Sequence, residues 1–375
     1  MTNSASRRKC IICFSDKINP IIELKNMPVF MGANKGFKEE FSNMTFQECK
    51  ECKNVQIKEI IDPKLLYINN HNIDTVGKTW INHNKQFVKF IKKDVINKTI
   101  LEIGDPSYKI SEKISKKSKE WNIVELNPNL NLKKPENVNL ITEYFDENFQ
   151  IDKKIDIIIH SHCFEHMPNP IEHLNFVYNI LKENGKLIFS IPNLHEILKT
   201  GGSPNSALHF EHTFFYNKKF MQDILQKCGF KVLEIKEFSN HSLFFKCIKD
   251  KKKTKKIKHK TKAAKLFIKN NQKHLTNVKK INNKIKDKTN IYLYGCHVSS
   301  QFILNAGLNQ SNITNLLDNS ISKTGFPLYG TNIITQKPDI IKTTNDPIVI
   351  SSHMGIYKTE INKQLKKINK NVTLL

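Results

Sequence analysis

Three groups of residues in this 375-residue chain have the types and spacing to do chemistry. Cys10-Ile-Ile-Cys13 and Cys49-Lys-Glu-Cys52 are two Cys-x-x-Cys pairs. Together they can offer four thiolates to one tetrahedral zinc ion, and four cysteines leave no open position for catalysis, so the metal would be structural. The second group lies in Ala207-Leu-His209-Phe-Glu211-His212-Thr-Phe-Phe-Tyr216. Two histidines and a glutamate within four residues can supply a general base and a group that orients it. The plainer alternative is one buried, hydrogen-bonded histidine with the others solvated. The third group is Lys98-Thr-Ile-Leu-Glu-Ile-Gly-Asp-Pro-Ser-Tyr108, where Glu102, Gly104 and Asp105 follow a short apolar run. A strand, a glycine turn and a helix let the backbone approach a nucleotide-like ligand over the strand's carboxyl end.

The elements that must position these groups are legible from periodicity. Thr99 to about Lys249 alternates strands and helices, with strands expected at 100–103, 122–125, 138–141, 155–160 and 186–191. That is the pattern of a parallel sheet with crossover helices. Glu125 ends the second strand, about 20 residues after Gly104, where ribose hydroxyls are usually bound. Gly229-Phe230-Lys-Val232 and residues 242–247 read as a closing antiparallel hairpin. Ahead of the sheet, residues 61–98 read as helical, with Trp80, Phe87, Phe90 and Ile91 at helical spacing and His83 as a structural histidine. Beyond it, Ala264, Phe267, Leu275, Val278 and Ile285 suggest one long amphipathic helix across Lys249–Lys288. Asn290–Leu375 restarts an α/β pattern with a strand ending at Gly295, a helix at 298–306 and Asp318-Asn319 after the next strand. Only Gly295 marks a phosphate loop there, so a second dinucleotide is not expected. No internal repeat is evident.

Composition bounds the rest. The net charge is +25, but residues 249–288 hold 17 lysines and 2 aspartates and so carry +15 of it. This stretch reads as a solvated connector, because no aromatic or arginine pattern is interleaved with the lysines. Nucleic acid and membrane-surface attachment are therefore minor readings. Arg7-Arg8 leads into cysteines, not into an apolar run, and no stretch approaches the length of a membrane span. The expectation is a cytoplasmic protein, where zinc outranks disulfides as a reading of the paired cysteines. Thirty-five residues separate the two pairs, so a sizeable loop or hairpin must lie between them. Cys163, Cys228, Cys247 and Cys296 are isolated.

The ordered series resembles the class I S-adenosylmethionine (SAM) methyltransferases. Glu102 and Gly104 match the first two places of Glu-x-Gly-x-Gly-x-Gly, whereas Pro106 and Tyr108 stand where later glycines belong. Lys154-Ile-Asp-Ile-Ile-Ile-His160, the Glu-His166-Met-Pro-Asn-Pro170 turn and Gly185-Lys-Leu-Ile-Phe-Ser-Ile-Pro-Asn193 resemble the later motifs of the family. The resemblance implies an α/β fold with a central Rossmann-like, seven-stranded, mostly parallel sheet. It also implies SAM as cofactor, held by Glu102, Gly104, Asp105, Glu125, Asp146 and His160, with the Tyr144-Phe145-Asp146 segment near the adenine.

With the four-cysteine module, Glu211-His212 and the second α/β domain included, nearly the whole chain resembles the sugar C-methyltransferases, which act on nucleotide-linked deoxysugars. The layout this implies is a zinc module at 1–60, a SAM-dependent domain with helical lead-in at 61–248, a lysine-rich linker at 249–289 and a Rossmann-like domain at 290–375. That last domain helps to build the acceptor cleft in the family. Glu211 and His212 match the family's Tyr-x-Glu-His element, whose histidine is the favoured base, while His209 replaces its tyrosine. The expected activity is methyl transfer to a nucleotide-linked sugar, on carbon through a His212 base or on oxygen or nitrogen. The rivals are a decayed methyltransferase serving as a binding module, which Pro106 motivates, and an RNA methyltransferase. The oligomeric state is not legible.

Overall fold

The structure is a computed structural model that describes residues 4–66, 77–252, 254, 257–351 and 356–375. Residues 67–76 of the expected helical lead-in lie outside the described residues. The chain opens with β1 (Ser4–Ser6), β2 (Ile18–Pro28), β3 (Phe41–Cys49), β4 (Val55–Ile57) and β5 (Glu59–Ile61). Strands β2, β3 and β4 form an antiparallel sheet and β1 pairs with β5. The long spacer between the cysteine pairs is thus a β-hairpin.

After α1 (Pro63–Leu66) and α2 (Lys78–Ile91) comes the central unit: β6 (Thr99–Ile103), α3 (Ser111–Ile114), β7 (Glu120–Val124), β8 (Val138–Ile141), β9 (Ile155–Ser161), α4 (Pro170–Ile180), β10 (Leu181–Pro192), α5 (Leu194–Lys199), α6 (Lys218–Lys227), β11 (Phe230–Phe238) and β12 (Ser242–Lys249). Its seven strands lie in the order β8-β7-β6-β9-β10-β12-β11. The first five are parallel, and β12 runs antiparallel to both neighbours. All five residues of β6 are buried, as a strand covered on both faces requires. One face packs Ile100, Trp121 and Ile157 under Phe87, Phe90 and Ile91 of α2. The other packs Leu101, Ile158 and Phe189 against α4 and α6. The chain leaves β6 towards β7 and later returns to β9 on the opposite side. The crevice where such folds bind ligands therefore opens over the carboxyl ends of β6 and β9.

The C-terminal part holds α7 (Ala264–Ile285), β13 (Ile291–Tyr294), α8 (Val298–Asn305), β14 (Ile313–Leu317), β15 (Thr335–Gln336), β16 (Ile348–Ser351), α9 (Ile356–Ile368) and β17 (Thr373–Leu374). Its five strands are all parallel, in the order β15-β14-β13-β16-β17.

The lysine-rich stretch differs from expectation. Lys249 ends β12, and the helix starts only at Ala264. Closely spaced like charges oppose a helix before that point. The backbone there is held instead by Asp223, whose carboxylate accepts from Lys258 N and His259 N at 2.6 Å. Leu275, expected on the buried stripe, is exposed, while Phe267, Val278 and Ile285 are buried. Among the described residues no helix is long and apolar enough to cross a membrane.

One apolar cluster runs from Ile12 and Phe46 through Phe164, Phe189 and Phe215 to Phe267 of α7. Phe267 sits between Phe46 and Phe215, with ring centroids 5.7 and 5.6 Å away. It joins the N-terminal sheet, the central unit and α7. Phe267→Ala should cost about 3–5 kcal/mol, read as a lower denaturant midpoint in chemical unfolding; a change under about 1 kcal/mol would show that the three parts do not share a core.

Candidate active site

The four cysteines converge. Cys10 Sγ and Cys52 Sγ are 3.5 Å apart, as are Cys13 Sγ and Cys49 Sγ, and all four sulfurs lie within 4.8 Å of one another. Sulfurs about 2.3 Å from one tetrahedral ion would stand about 3.8 Å apart. None is disulfide-bonded. The two knuckles are built alike, with Phe14 N donating to Cys10 O and Lys53 N donating to Cys49 O. Both turns close on a residue with positive φ, Phe14 at 63° and Lys53 at 60°. Hydrogen bonds among the thiols hold Cys13 and Cys49 below the ordinary thiol value and push Cys10 and Cys52 above it. Four acids in one pocket cannot all ionise unaided, and a dication relieves that conflict. The donor set fits zinc.

The glycine turn after β6 is shaped for close approach. Gly104 has φ +75°, and a Cβ there would meet Cys163 Sγ at 3.3 Å. Tyr108, where the motif has its third glycine, keeps a left-handed φ of 56°. That conformation costs a non-glycine residue about 1–2 kcal/mol, so the loop holds its shape without the glycine. Asp105 is turned inward, its carboxylate accepting from Lys109 N at 3.0 Å and Ile110 N at 3.2 Å. Glu125, just past β7, accepts from Asn127 N at 2.8 Å, and burial raises its pKa. Burial, with Cys163 and Asp146 beside it, pushes the Tyr144 phenol up to about 12. Gly104, Glu125, Tyr144 and Asp146 thus gather near Cys163 at the carboxyl edge of the sheet.

Two further residues expected at the cofactor are engaged within the sheet. Glu102 is buried and accepts from Trp121 Nε1 at 2.8 Å. His160 is fully buried, stacked on Phe189 at 4.9 Å, and neither of its ring nitrogens has a hydrogen-bond partner among the described residues. Both belong to the sheet's packing.

The histidines gather over the next turn. His162 leaves β9 with a left-handed φ of 52°, a strained step of the sort found at functional sites. Its Nδ1 is 3.1 Å from Glu165 Oε1, and its Nε2 is 2.9 Å from Ser242 Oγ. Four residues on, His166 Nε2 lies 3.3 Å from His212 Nε2, and His166 Nδ1 lies 3.6 Å from Glu211 Oε2. His209 packs on His212 with ring centroids 4.1 Å apart. Its Nδ1 accepts from Glu211 N at 3.3 Å, which leaves the proton on Nε2. Trp80, His83 and His241 wall the cluster beside His162. Burial holds the histidines low, His162 and His241 at about 3. It pushes Glu165 up to about 7 and Glu211 to about 8. Glu165, His166 and His212 also offer ligand atoms within 4.8 Å of one another, enough to hold a metal ion.

The sequence named His209, Glu211 and His212 but gave no role to His162, Glu165 and His166. The available signal was three titratable residues within five, just past the carboxyl end of a central strand.

Residues 82–235 match a methyltransferase domain family. A search of curated proteins returned no match. Among solved structures, the chain is similar to the N-methyltransferase NodS of Bradyrhizobium japonicum WM9 bound to S-adenosylhomocysteine, at 11% identity and a TM-score of 0.38, over 48% of this chain and 92% of that one. The magnesium protoporphyrin IX methyltransferase ChlM of Synechocystis PCC 6803, also with S-adenosylhomocysteine, is similar at 11% identity and 0.37, over 48% and 90%. The Haloferax volcanii complex of the Trm112 activator with a putative methyltransferase is similar at 11% and 0.38, over 46% and 94%. At these scores the likenesses carry no argument about substrate or partner. The matched domain makes the chain an enzyme of the SAM-dependent methyltransferase class.

The protonation states fix a pH dependence. Glu211 keeps its proton in the fold up to about 8, while the unfolded chain releases it near 4.5. The folded state then binds more protons between those values, so stability falls as pH rises through that window. The buried histidines act in the opposite sense, because His162 and His241 refuse protons between 6.5 and about 3 that the unfolded chain accepts. Stability measured by denaturant titration should therefore decline on both sides of an optimum, and Glu211→Gln should flatten the decline between pH 6.5 and 8. An unchanged alkaline slope would mean that Glu211 is ionised in the fold.

Proposed function

We propose that the protein transfers the SAM methyl group to a sugar carried on a nucleotide, with His212 as the base, and that its four cysteines hold a structural zinc ion. The observation that carries this reading is the meeting of His166, on the turn that continues from Cys163 beside Gly104, with Glu211 and His212 from the loop before α6. Proton-accepting groups at the lip of the cofactor crevice are what methylation of a weakly acidic acceptor needs.

SAM supplies an already activated methyl group when bound. Gly104 would admit it closely, and Glu125 would hold its ribose. The protein must then remove a proton from the acceptor atom. His212 is half-buried and, held neutral by burial, is free to accept. His166 faces it nitrogen to nitrogen, so the pair takes up one proton and shares the resulting charge. Glu211 Oε2 lies 3.6 Å behind His166 Nδ1, and as a carboxylate, its own proton released to solvent as pH nears 8, it balances that charge. The Nε2–H of His209 is available to a developing oxyanion. This arrangement suits a carbon acceptor beside a carbonyl and serves a sugar hydroxyl equally.

A second reading, RNA methylation, has one observation in its favour. A groove between α2 and α3 is lined by Lys85, Lys89, Lys92, Lys113 and Lys117, and none of these makes an ion pair among the described residues. Binding to RNA that weakens steeply with salt would favour it.

In the test, zinc-loaded protein is titrated calorimetrically with SAM and S-adenosylhomocysteine. Micromolar binding, weakened about tenfold or more by Glu125→Ala, is expected. No binding would favour the decayed, binding-module reading. His212→Ala should bind SAM normally and lose about 100-fold or more in turnover on a nucleotide-sugar; near-normal turnover would remove His212 from the mechanism. Metal analysis should find one zinc per chain, and Cys49→Ser should lose it together with thermal stability.

A further inference from the structure

Residues 213–215 act as a fourth strand of the N-terminal sheet. Ile57 N donates to Thr213 O at 2.8 Å, Phe215 N donates to Val55 O at 2.7 Å, and Gln56 pairs antiparallel with Phe214 between them. This stretch begins one residue after His212. The other histidine-bearing turn passes through Pro168, two residues after His166.

One side chain reaches both turns. The Arg7 guanidinium donates to Ile57 O at 3.3 Å, Thr213 O at 3.2 Å and Thr213 Oγ1 at 3.1 Å, and also to Pro168 O. Its own backbone is fixed, with Arg7 N donating to Lys58 O at 2.8 Å and Arg7 O accepting from Gln47 Nε2 at 3.3 Å. All these acceptors are neutral oxygens. A half-buried cation without a carboxylate is costly, and four such bonds from three chain segments offset that cost. The planar five-donor fork of arginine can serve them together, whereas a lysine ammonium is a point charge with three donors.

The same strand is tied to the cysteines. Gln56 Oε1 accepts from Ile11 N at 3.1 Å, inside the first knuckle, and Gln56 Nε2 donates to Lys9 O at 3.0 Å. The path from the knuckle through β4 and Arg7 thus ends on the two turns that carry the histidines.

We propose that Arg7 is a positioning residue that sets the separation of His166 and His212, so that the N-terminal four-cysteine module builds the acceptor-facing half of the site. The inference rests on reading that cluster as the proton-accepting site. It accounts for why an N-terminal module should be wedded to a methyltransferase domain at all: the domain alone supplies the cofactor turn, and the module holds the base.

The test is made on the full chain, with the imidazole C–H NMR signals of His166 and His212 assigned by substitution. In Arg7→Lys both signals should shift, while those of His259 and His274 stay. Thr213→Val removes a single acceptor, so a smaller shift of the same two signals is expected there; it guards against misfolding of the first variant. SAM affinity should stay within about twofold while turnover drops about tenfold or more, as small misplacements of reacting groups do. Unmoved histidine signals would overturn the proposal. So would a shift of all histidines, or a loss of SAM binding in proportion to turnover, since either marks a general structural role. The NMR readout needs neither SAM nor acceptor. Absence of SAM binding by the wild type would therefore sink the methyltransferase reading without deciding this one.

Discussion

The carboxyl edge of the central sheet depends on the close approach of two turns, Gly104 after β6 and Cys163 after β9. A side chain at position 104 would press on Cys163. With none there, the turn after β9 can lie across the turn after β6, and the same few residues then serve two halves of one site. Gly104 sits at the carboxyl edge of the sheet, while the chain beyond Cys163 delivers Glu165 and His166 to the histidine cluster. Parallel strands make this juxtaposition possible, because neighbouring carboxyl ends must lie side by side at the point where the strand order reverses.

Burial is the second constraint. The site packs at least six imidazoles and two carboxylic acids into a wall of aromatic rings, and desolvation neutralises nearly all of them. Each imidazole is thereby held neutral, and a proton taken up there must be offset by a nearby carboxylate or shared between rings. A cluster of fixed charges could not be buried at all without partners. The cost appears as strain and orphaned polar atoms: His162 in a left-handed conformation, and Glu165 Oε2 without a hydrogen bond among the described residues. Such features persist only where the surrounding packing enforces them.

That enforcement is long-range. The N-terminal strands touch the central unit through residues 213–215 and the C-terminal domain through Gln301, whose amide donates to Phe30 O at 2.8 Å and Tyr329 O at 3.2 Å. Asn205 Nδ2 donates to Val298 O at 3.1 Å, and Asn270 of α7 donates to Leu198 O and Gly202 O at 2.8 Å. The loop that carries His209 and His212 is thereby held from several sides. In the C-terminal part, Asp318 caps the turn after β13 by accepting from Cys296 N at 2.8 Å and pairs with Lys323 at 3.6 Å. The residue that would meet a ribose in a dinucleotide fold is already occupied.

Much of this was legible in the sequence. Runs such as Ile-Asp-Ile-Ile-Ile can bury both faces only as central parallel strands, paired cysteines at fixed spacing offer one tetrahedron of sulfur, and Gly104 breaks a strand where a ligand approaches. These are local properties, decided by period, by φ and by donor type. The rest was not local. Whether Glu102 faces a ligand or Trp121, and whether His160 reaches the crevice or stacks on Phe189, depends on which side of the sheet each neighbouring element covers. The start of α7 at Ala264 depends on Asp223 capturing the backbone before it. The pairing of His166 with His212, and the reach of Arg7 to both their turns, join segments far apart in the chain. The sequence by itself determined the elements and the chemistry they carry. Only the tertiary structure decided which groups meet, because side-chain direction is set by sheet register and covering layers that no local pattern encodes.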